Sequence, residues 1–188
     1  MTPFFAFCFR QLALDIVQVQ NSTFGSGTAS EHQMLQLWIK NALGTDAIST
    51  RFACRWERVS SMYQVQSVNG LWAFGRGSGM GNYEIGLQED ADLLSNGNEQ
   101  HAALAVKYSG DVHAYLICPT LLEVKAKQNT WRYPSPSLML GAGVYNVDVI
   151  LRARGGRTSL VRLKVQNPGS DGPLSCEITS HRSLPYIK

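Results

Sequence analysis

A glycine-rich string at residues 75–82, Gly-Arg-Gly-Ser-Gly-Met-Gly-Asn, is the segment of this 188-residue chain whose composition first suggests chemistry. Glycine-rich loops cradle phosphates when a Lys-Ser/Thr pair ends the loop or when a helix begins directly after it. The string has no such pair, and the residues from Tyr83 onward alternate as a strand does. We therefore predict a loop between two strands, with ligand binding by that loop as the alternative.

The histidines, cysteines and serines lack the spacings of metal or catalytic sites. The sequence contains no His-x-x-x-His, no Cys-x-x-Cys and no Gly-x-Ser-x-Gly. The acidic residues at 89–92 are expected to form a solvated cluster on a turn. We predict no enzyme, no cofactor and no metal, and four free thiols in a reducing, cytoplasmic compartment. These thiols are Cys8, Cys54, Cys118 and Cys176.

Arginines concentrate around one predicted hairpin in the last third of the chain. Arg152, Arg154 and Arg157 lie at or near its tip, and Asp148 is the one acidic residue close by. Guanidinium groups without an acidic neighbour suit an acidic protein surface or a phosphate. The alternative is that these charges serve only solubility. We predict an anionic contact here and little effect on stability when the three arginines are replaced.

A second candidate surface is formed by Trp131, Arg132 and Tyr133, which lie between a polar segment and two prolines. Rigid amphipathic rings beside a guanidinium suit a protein interface or a sugar face. The alternative is that Trp131 packs over the end of the fold. Trp38 and Trp56, in contrast, lie in apolar strands and are predicted to be core residues.

Net charge and hydropathy limit the classes of partner that we expect this chain to bind. The net charge is +3 and hydrophobic residues make up 44% of the chain, which is typical of a folded domain and too weakly basic for a protein that neutralises many phosphates. Nucleic acid is therefore disfavoured. The apolar segment near the start is too short to span a membrane and has no basic residue before it, so we expect no membrane partner.

Hydrophobic periodicity predicts the elements that carry these residues. In residues 48–58, Ile48, Phe52, Cys54 and Trp56 share one face, a period of two that is typical of a half-buried strand. Many further short alternating runs, separated by Gly, Asn, Ser and Asp, favour an antiparallel all-β sandwich. Residues 88–94 are the clearest helical candidate and would form a single turn.

One hairpin allows its register to be predicted. A two-residue Gly155-Gly156 turn would place the charged residues of the return strand opposite Val147 and Val149. A shift of one residue instead pairs apolar with apolar residues and sets Asp148 opposite Arg162. We predict this second register, with a loop at residues 154–156 and Gly156 at positive φ.

Short motifs in two parts of the chain suggest a family. Gly143-Val144-Tyr145 and the later Asn167-Pro168-Gly169 resemble the closing strands of bacterial immunoglobulin-like sandwiches, in which a Gly-x-Tyr enters the penultimate strand. Residues 37–47 resemble the strand and Asn/Gly turn of cell-adhesion-related sandwich domains. The resemblance covers about a third of the chain. It implies binding or spacing and no catalysis, and it leaves residues 70–130 as an elaboration or a second small sheet.

Taken together, these patterns predict one immunoglobulin-like β-sandwich domain over residues 1–188, with a subdivision near residue 100 as the alternative. We expect a non-enzymatic module that contacts a protein partner or a second copy of itself. The competing hypothesis is a carbohydrate- or ligand-binding module that uses Trp131 and Tyr133.

Overall fold

The computed structural model describes residues 14–24, 32–41, 46–60, 65–77, 83–94, 99–119, 138–154 and 158–184. These residues contain thirteen β-strands and one 3-10 turn, Gly169–Asp171. The strands are β1 Leu14–Phe24, β2 His32–Asn41, β3 Ala47–Arg58, β4 Val65–Asn69, β5 Leu71–Gly77, β6 Tyr83–Gln88, β7 Ala91–Leu93, β8 Gln100–Tyr108, β9 Ala114–Leu116, β10 Met139–Leu140, β11 Gly143–Arg152, β12 Thr158–Asn167 and β13 Ser175–Leu184.

The strands form two antiparallel sheets, which confirms the all-β, antiparallel part of the predicted fold class. The first sheet has the order β1-β2-β8-β5-β6, with β9 on β8 and β10 on β9. The second has the order β13-β12-β11-β3-β4, with β7 on β3. Strands from the middle of the chain join both sheets: β5, β6, β8 and β9 belong to the first and β7 to the second, so the described strands of this region do not form a sheet of their own.

The two sheets share one hydrophobic core. The ring of Phe52 in the second sheet meets that of Trp72 in the first, edge to face, with centroids 5.1 Å apart. The indole Nε1 of Trp72 donates a hydrogen bond of 2.8 Å to the carbonyl oxygen of Thr50. A buried indole N–H usually has a hydrogen-bond partner, and this bond joins the Trp72 ring to the backbone of β3 near the start of that strand.

Gly70, the single residue between β4 and β5, is where the chain crosses from the second sheet to the first. Its amide donates 2.8 Å to the carbonyl oxygen of Phe52. A Cβ at this position would lie 1.8 Å from the Phe52 ring, so only glycine permits so close an approach.

A buried lysine links the sheets near their other end. Lys107 of β8 donates hydrogen bonds to Asn167 Oδ1 at 3.0 Å, to the carbonyl oxygen of Gly172 at 2.6 Å and to that of Gly169. The Asn167 amide in turn donates to the carbonyl oxygens of Val112 and Leu140. A charge can be buried when carbonyl oxygens replace its water shell in this way.

The predicted register of the β11–β12 hairpin is confirmed. Asp148 lies opposite Arg162, Val149 opposite Val161 and Ile150 opposite Leu160. The Arg162 Nε donates 3.2 Å to an oxygen of Asp148. The residues at 155–157 lie outside the described residues, and with them the predicted conformation of Gly156.

The predicted buried face of β3 is wrong at one residue, Ile48. Phe52, Cys54 and Trp56 are buried as expected, but Ile48 is 51% exposed. Ser49 has a φ of 48°, and the pairing of β3 with β7 shifts register at this point. This left-handed residue breaks the alternation, so Thr50 enters the core and Ile48 turns to solvent.

Two further predictions are corrected. Trp38 is half-buried and stacks on His101, with centroids 4.4 Å apart, because its neighbours Leu37 and Ile39 occupy the core face of β2. The helical turn expected at 88–94 does not form. Instead Ala91–Leu93 is the strand β7, paired with β3, because its buried, exposed, buried pattern has the period of a strand.

Candidate functional site

A cavity of about 560 Å³ opens at one end of the second sheet, and three arginines line it. Arg51 comes from β3, Arg152 from the end of β11, and Arg154 from the chain that follows β11. All three side chains are exposed. We call this feature the arginine cavity. Its other lining residues include Ser49, Ala53, Asn69, Glu89 and Ile150.

The pairing of β3 with β11 brings the arginines together. In this register Arg152 lies directly opposite Arg51 and Ile150 opposite Ala53. Beyond the last pair, the amide of Arg154 donates 3.0 Å to the carbonyl oxygen of Ile48, which continues the contact between the two chain segments. Side chains opposite one another on antiparallel strands share a face, so Arg51 and Arg152 project from the sheet side by side.

Ser49, which lines the cavity, binds two of the neighbouring acidic residues. Its amide donates 2.8 Å to Asp92 Oδ1, and its hydroxyl donates 2.7 Å to Asp90 Oδ2. These bonds give partners to the amide and hydroxyl of Ser49, whose backbone is left-handed, and they link residues 90–92 to β3. Glu89 and Asp92 are exposed, in agreement with the predicted solvated cluster, whereas Asp92 lies in β7 and not on a turn. Of the three acidic residues, only Glu89 lines the cavity.

Three other basic residues on the same face of the second sheet have carboxylate partners, whereas Arg182, opposite Leu160 on β13, has no ion pair among the described residues. Arg55 pairs with Glu57 at 3.6 Å, Arg162 with Asp148 at 3.2 Å and Lys164 with Glu177 at 3.7 Å. Among the described residues, none of the three arginines of the cavity makes an ion pair. Positive charge without a carboxylate partner is thus most concentrated on this face at the arginine cavity, where three such residues meet.

The floor of the cavity is apolar. Ala53 and Ile150, paired across β3 and β11, are both half-buried there, and Phe52 and Gly70 also line the wall. The side chain of Asn69 lies at the same level, opposite Ala53 on β4. A ligand in this space would meet the guanidinium groups of one strand pair and the hydrocarbon of the next pair on the same face.

A serine and a histidine meet elsewhere, at the edge of the second sheet. Ser159 Oγ lies 3.0 Å from His181 Nε2, the distance expected of a nucleophile and its base. Ser159 is fully buried, however, and its hydroxyl also lies within hydrogen-bond distance of the carbonyl oxygen of Arg182. A substrate cannot reach a buried hydroxyl, so this pair acts as a link between β12 and β13.

Among the described residues, four titratable groups have perturbed pKa values, those of Cys54, His101, Tyr145 and Cys176, and none of these groups lines the cavity. Burial raises the pKa of the Cys54 thiol, and burial together with the nearby Glu177 raises the pKa of Cys176 to about 12. Both remain protonated and unreactive near neutral pH. Burial lowers the pKa of His101, an effect that Glu99 opposes. The three cysteines within the described residues are free thiols, as predicted, and Cys8 lies outside them.

The structure places two of the predicted site residues in the arginine cavity, namely Arg152 and Arg154. Arg157, Trp131, Arg132 and Tyr133 lie outside the described residues. In the glycine-rich string the backbone of residues 75–77 belongs to β5, so the predicted loop begins too early, and residues 78–82 lie outside the description. Sequence reasoning missed Arg51, which reaches the site through a pairing between distant strands.

Further comparisons add no assignment. In the part of the chain that the structure describes, no group of His, Cys, Asp and Glu is arranged to hold a metal ion, and no helix has the length and apolar character needed to cross a membrane. The chain matches no protein-family model, no curated protein and no solved structure. Any function must therefore be argued from the arginine cavity and the fold.

Proposed function

We propose that this chain is a non-enzymatic interaction module that binds an acidic surface of a protein partner through the arginine cavity. The observation that carries the proposal is the uneven compensation of charge on the second sheet. Three arginines converge on one cavity without an ion pair among the described residues, while the basic residues Arg55, Arg162 and Lys164 on the same face each have a carboxylate. A cluster of positive charges without carboxylate partners favours an anionic partner.

The surroundings of the cavity support the proposed contact with a protein. Ile48, whose carbonyl oxygen binds the Arg154 amide, presents an exposed side chain next to the arginines. Arginine is enriched at the centres of interfaces, where its fork binds carboxylates and its stem packs on apolar surface. An acidic segment with an apolar residue beside its carboxylates would complement this combination.

The finer fold assignment, an immunoglobulin-like β-sandwich, is part of the proposal. Two antiparallel sheets share a core, and the Tyr145 hydroxyl donates 2.8 Å to the carbonyl oxygen of Gly141, four residues earlier. Immunoglobulin-like sandwiches contain a similar tyrosine that bonds back to upstream backbone. The thirteen described strands exceed the usual seven to nine of such domains, an excess supplied by the middle of the chain.

The other expectations for this chain stay predictions. Carbohydrate binding would use Trp131 and Tyr133, self-association would use an exposed edge strand such as β4, and a cytoplasmic location would suit the free thiols. Light scattering on a size-exclusion column, over a range of concentrations, separates self-association from a monomeric module.

The test of the proposal is binding of a short poly-L-glutamate peptide, measured by isothermal titration calorimetry at about 50 mM and about 300 mM NaCl. The parent chain should bind, and more weakly at the higher salt. The double variant Arg51→Ser/Arg152→Ser should lose at least about tenfold in affinity, since each charged hydrogen bond contributes about 1.5–3 kcal/mol.

The matched control is Lys40→Ser/Lys164→Ser, which also removes two positive charges but at positions outside the cavity. Both lysines are exposed. The control should keep the parent's affinity within about threefold, because screened charges at a distance contribute little. Equal loss in both double variants, or no binding by the parent, would overturn the proposal.

A further inference from the structure

We infer that the ligand of the arginine cavity is a phosphate monoester carried on an apolar group, a dianion with a hydrocarbon body. This inference deepens the proposed function and rests on the same site. It names the chemistry that would recognise the cavity: a doubly charged head for the arginines and an apolar ring or chain for the floor.

The charge on the lining of the cavity suits a dianion. Three guanidinium groups and one carboxylate, that of Glu89, line it, so the lining residues carry an excess of two positive charges. Asp90 and Asp92 accept hydrogen bonds from Ser49 and keep their negative charge, but they are not among the lining residues. A carboxylate would neutralise half of this excess, whereas a phosphate monoester carries close to two negative charges at neutral pH.

The geometry suits a tetrahedral head. Arg51 and Arg152 are opposite one another, and the Cβ atoms of such a pair lie about 5 Å apart, so the two forks can reach one anion from adjacent strands. Arg154 follows the end of β11, and its backbone amide donates a hydrogen bond to the carbonyl oxygen of Ile48. Each guanidinium presents paired N–H groups, and a phosphate offers three terminal oxygens, enough for three arginines.

The size and floor of the cavity require more than inorganic phosphate. The volume of about 560 Å³ falls within the range of sites that hold organic ligands. Ala53 and Ile150 provide hydrocarbon beneath the arginines, and burial of an apolar body there would add to the binding of the head. Three arginines at one cavity are too few, and too localised, to follow the backbone of a nucleic acid.

The experiment compares three small probes of similar shape: phenyl phosphate, phenyl sulfate and benzoate. Affinities are measured by calorimetry with the parent chain. Phenyl phosphate should bind at least about tenfold more tightly than the other two, which carry one negative charge each, because charge-matched pairs to arginine are the strong ones. Inorganic phosphate should bind more weakly than phenyl phosphate, since it lacks the apolar body.

Two variants test the roles of named residues. Arg51→Ser should weaken phenyl phosphate by about tenfold or more, whereas Lys164→Ser should leave it within about threefold. Glu89→Gln should tighten binding of phenyl phosphate, because it removes a negative charge from the same cavity. A purely structural role for Glu89 would lower affinity or leave it unchanged, so tighter binding supports the inference and weaker binding contradicts it.

Binding of a phosphotyrosine-containing peptide, with its unphosphorylated form as the control, shows whether the phosphate is carried by a protein or by a small molecule. Tighter binding of the phosphopeptide than of phenyl phosphate indicates a phosphorylated protein partner, and equal binding indicates a small phosphate ester. If poly-L-glutamate binds and phenyl phosphate does not, the inference is overturned and the proposed function stands. If neither binds, both are wrong.

Discussion

Arg51 of β3 and Arg152 of β11 lie directly opposite one another on adjacent antiparallel strands. Like charges in this position repel and destabilise a sheet, and water and salt screen them only in part. A neutral residue at one of these two positions is therefore expected to fold at least as well. The proposed binding of an anion would account for two arginines at this place.

Replacement of Arg51 by Gln should therefore leave the free energy of unfolding unchanged or raise it by up to about 0.5 kcal/mol. Urea denaturation at low and high salt measures this, and any gain should shrink at high salt. Arg162→Gln, which breaks the exposed pair with Asp148, should instead lower stability by up to about 1 kcal/mol. A loss of more than about 1 kcal/mol in Arg51→Gln would show that Arg51 supports the fold.

Trp56→Ala should destabilise the chain by about 3–5 kcal/mol, because the ring is buried on the core face of β3. Trp56→Phe should cost much less, since the indole Nε1 has no hydrogen-bond partner among the described residues. Denaturant melts of both variants decide this. A Trp56→Ala melt within about 1 kcal/mol of the parent would contradict the placement of the ring.

Gly70→Ala should cost about 1–3 kcal/mol, because the added methyl group overlaps the Phe52 ring at the crossover between the sheets. Gly141→Ala is the matched control. An added Cβ there meets nothing within 4 Å, so stability should change by less than about 0.5 kcal/mol. Thermal melts that rank the two variants in the reverse order would show that Phe52 moves aside without cost.

Lys107→Met should lower the free energy of unfolding by about 3 kcal/mol or more, since the substitution keeps the stem but removes the donor to three oxygen atoms. Lys164→Met, at an exposed ion pair, should change it by less than about 1 kcal/mol. Urea melts of the two variants provide the comparison. Similar small effects would mean that water replaces the Lys107 ammonium.

Acidification should weaken the fold through His101. Burial lowers the pKa of His101 in the folded chain below its unfolded value, so the unfolded state binds more protons between the two pKa values. Stability therefore rises with pH through this range and falls on acidification below the unfolded pKa. Urea midpoints at about pH 8 and about pH 5.5 should differ less in His101→Gln than in the parent. An unchanged pH effect in the variant would assign it to another group.

Local patterns predicted the parts of the fold that depend on neighbouring strands. The β11–β12 register followed from matching apolar and charged residues across one hairpin, because a slip of one residue would have exposed the core face. Ile48 was misplaced because nothing in the sequence marks Ser49 as a left-handed residue. That conformation depends on the carboxylates of Asp90 and Asp92, which lie some forty residues further along.

The candidate site was half predictable for the same reason. Arg152 and Arg154 stand near the tip of a recognisable hairpin, so their lack of an acidic neighbour could be read from the sequence. Arg51 belongs to a strand that could have paired with any of several others. Its place opposite Arg152 is set by tertiary packing, which periodicity within a single strand does not encode.

The pairing of β3 with β11 also orders events in time. Arg51 and Arg152 are 101 positions apart in the chain, so ribosomes complete the first long before the second. At typical rates of synthesis, β3 waits about 5–20 seconds for its neighbour. During this interval its edge is open, and the charged side chain of Arg51 discourages pairing with other nascent chains. The arginine cavity can therefore form only after β11 has been synthesised, so under the proposed function only chains in which β3 and β11 have paired would bind a partner.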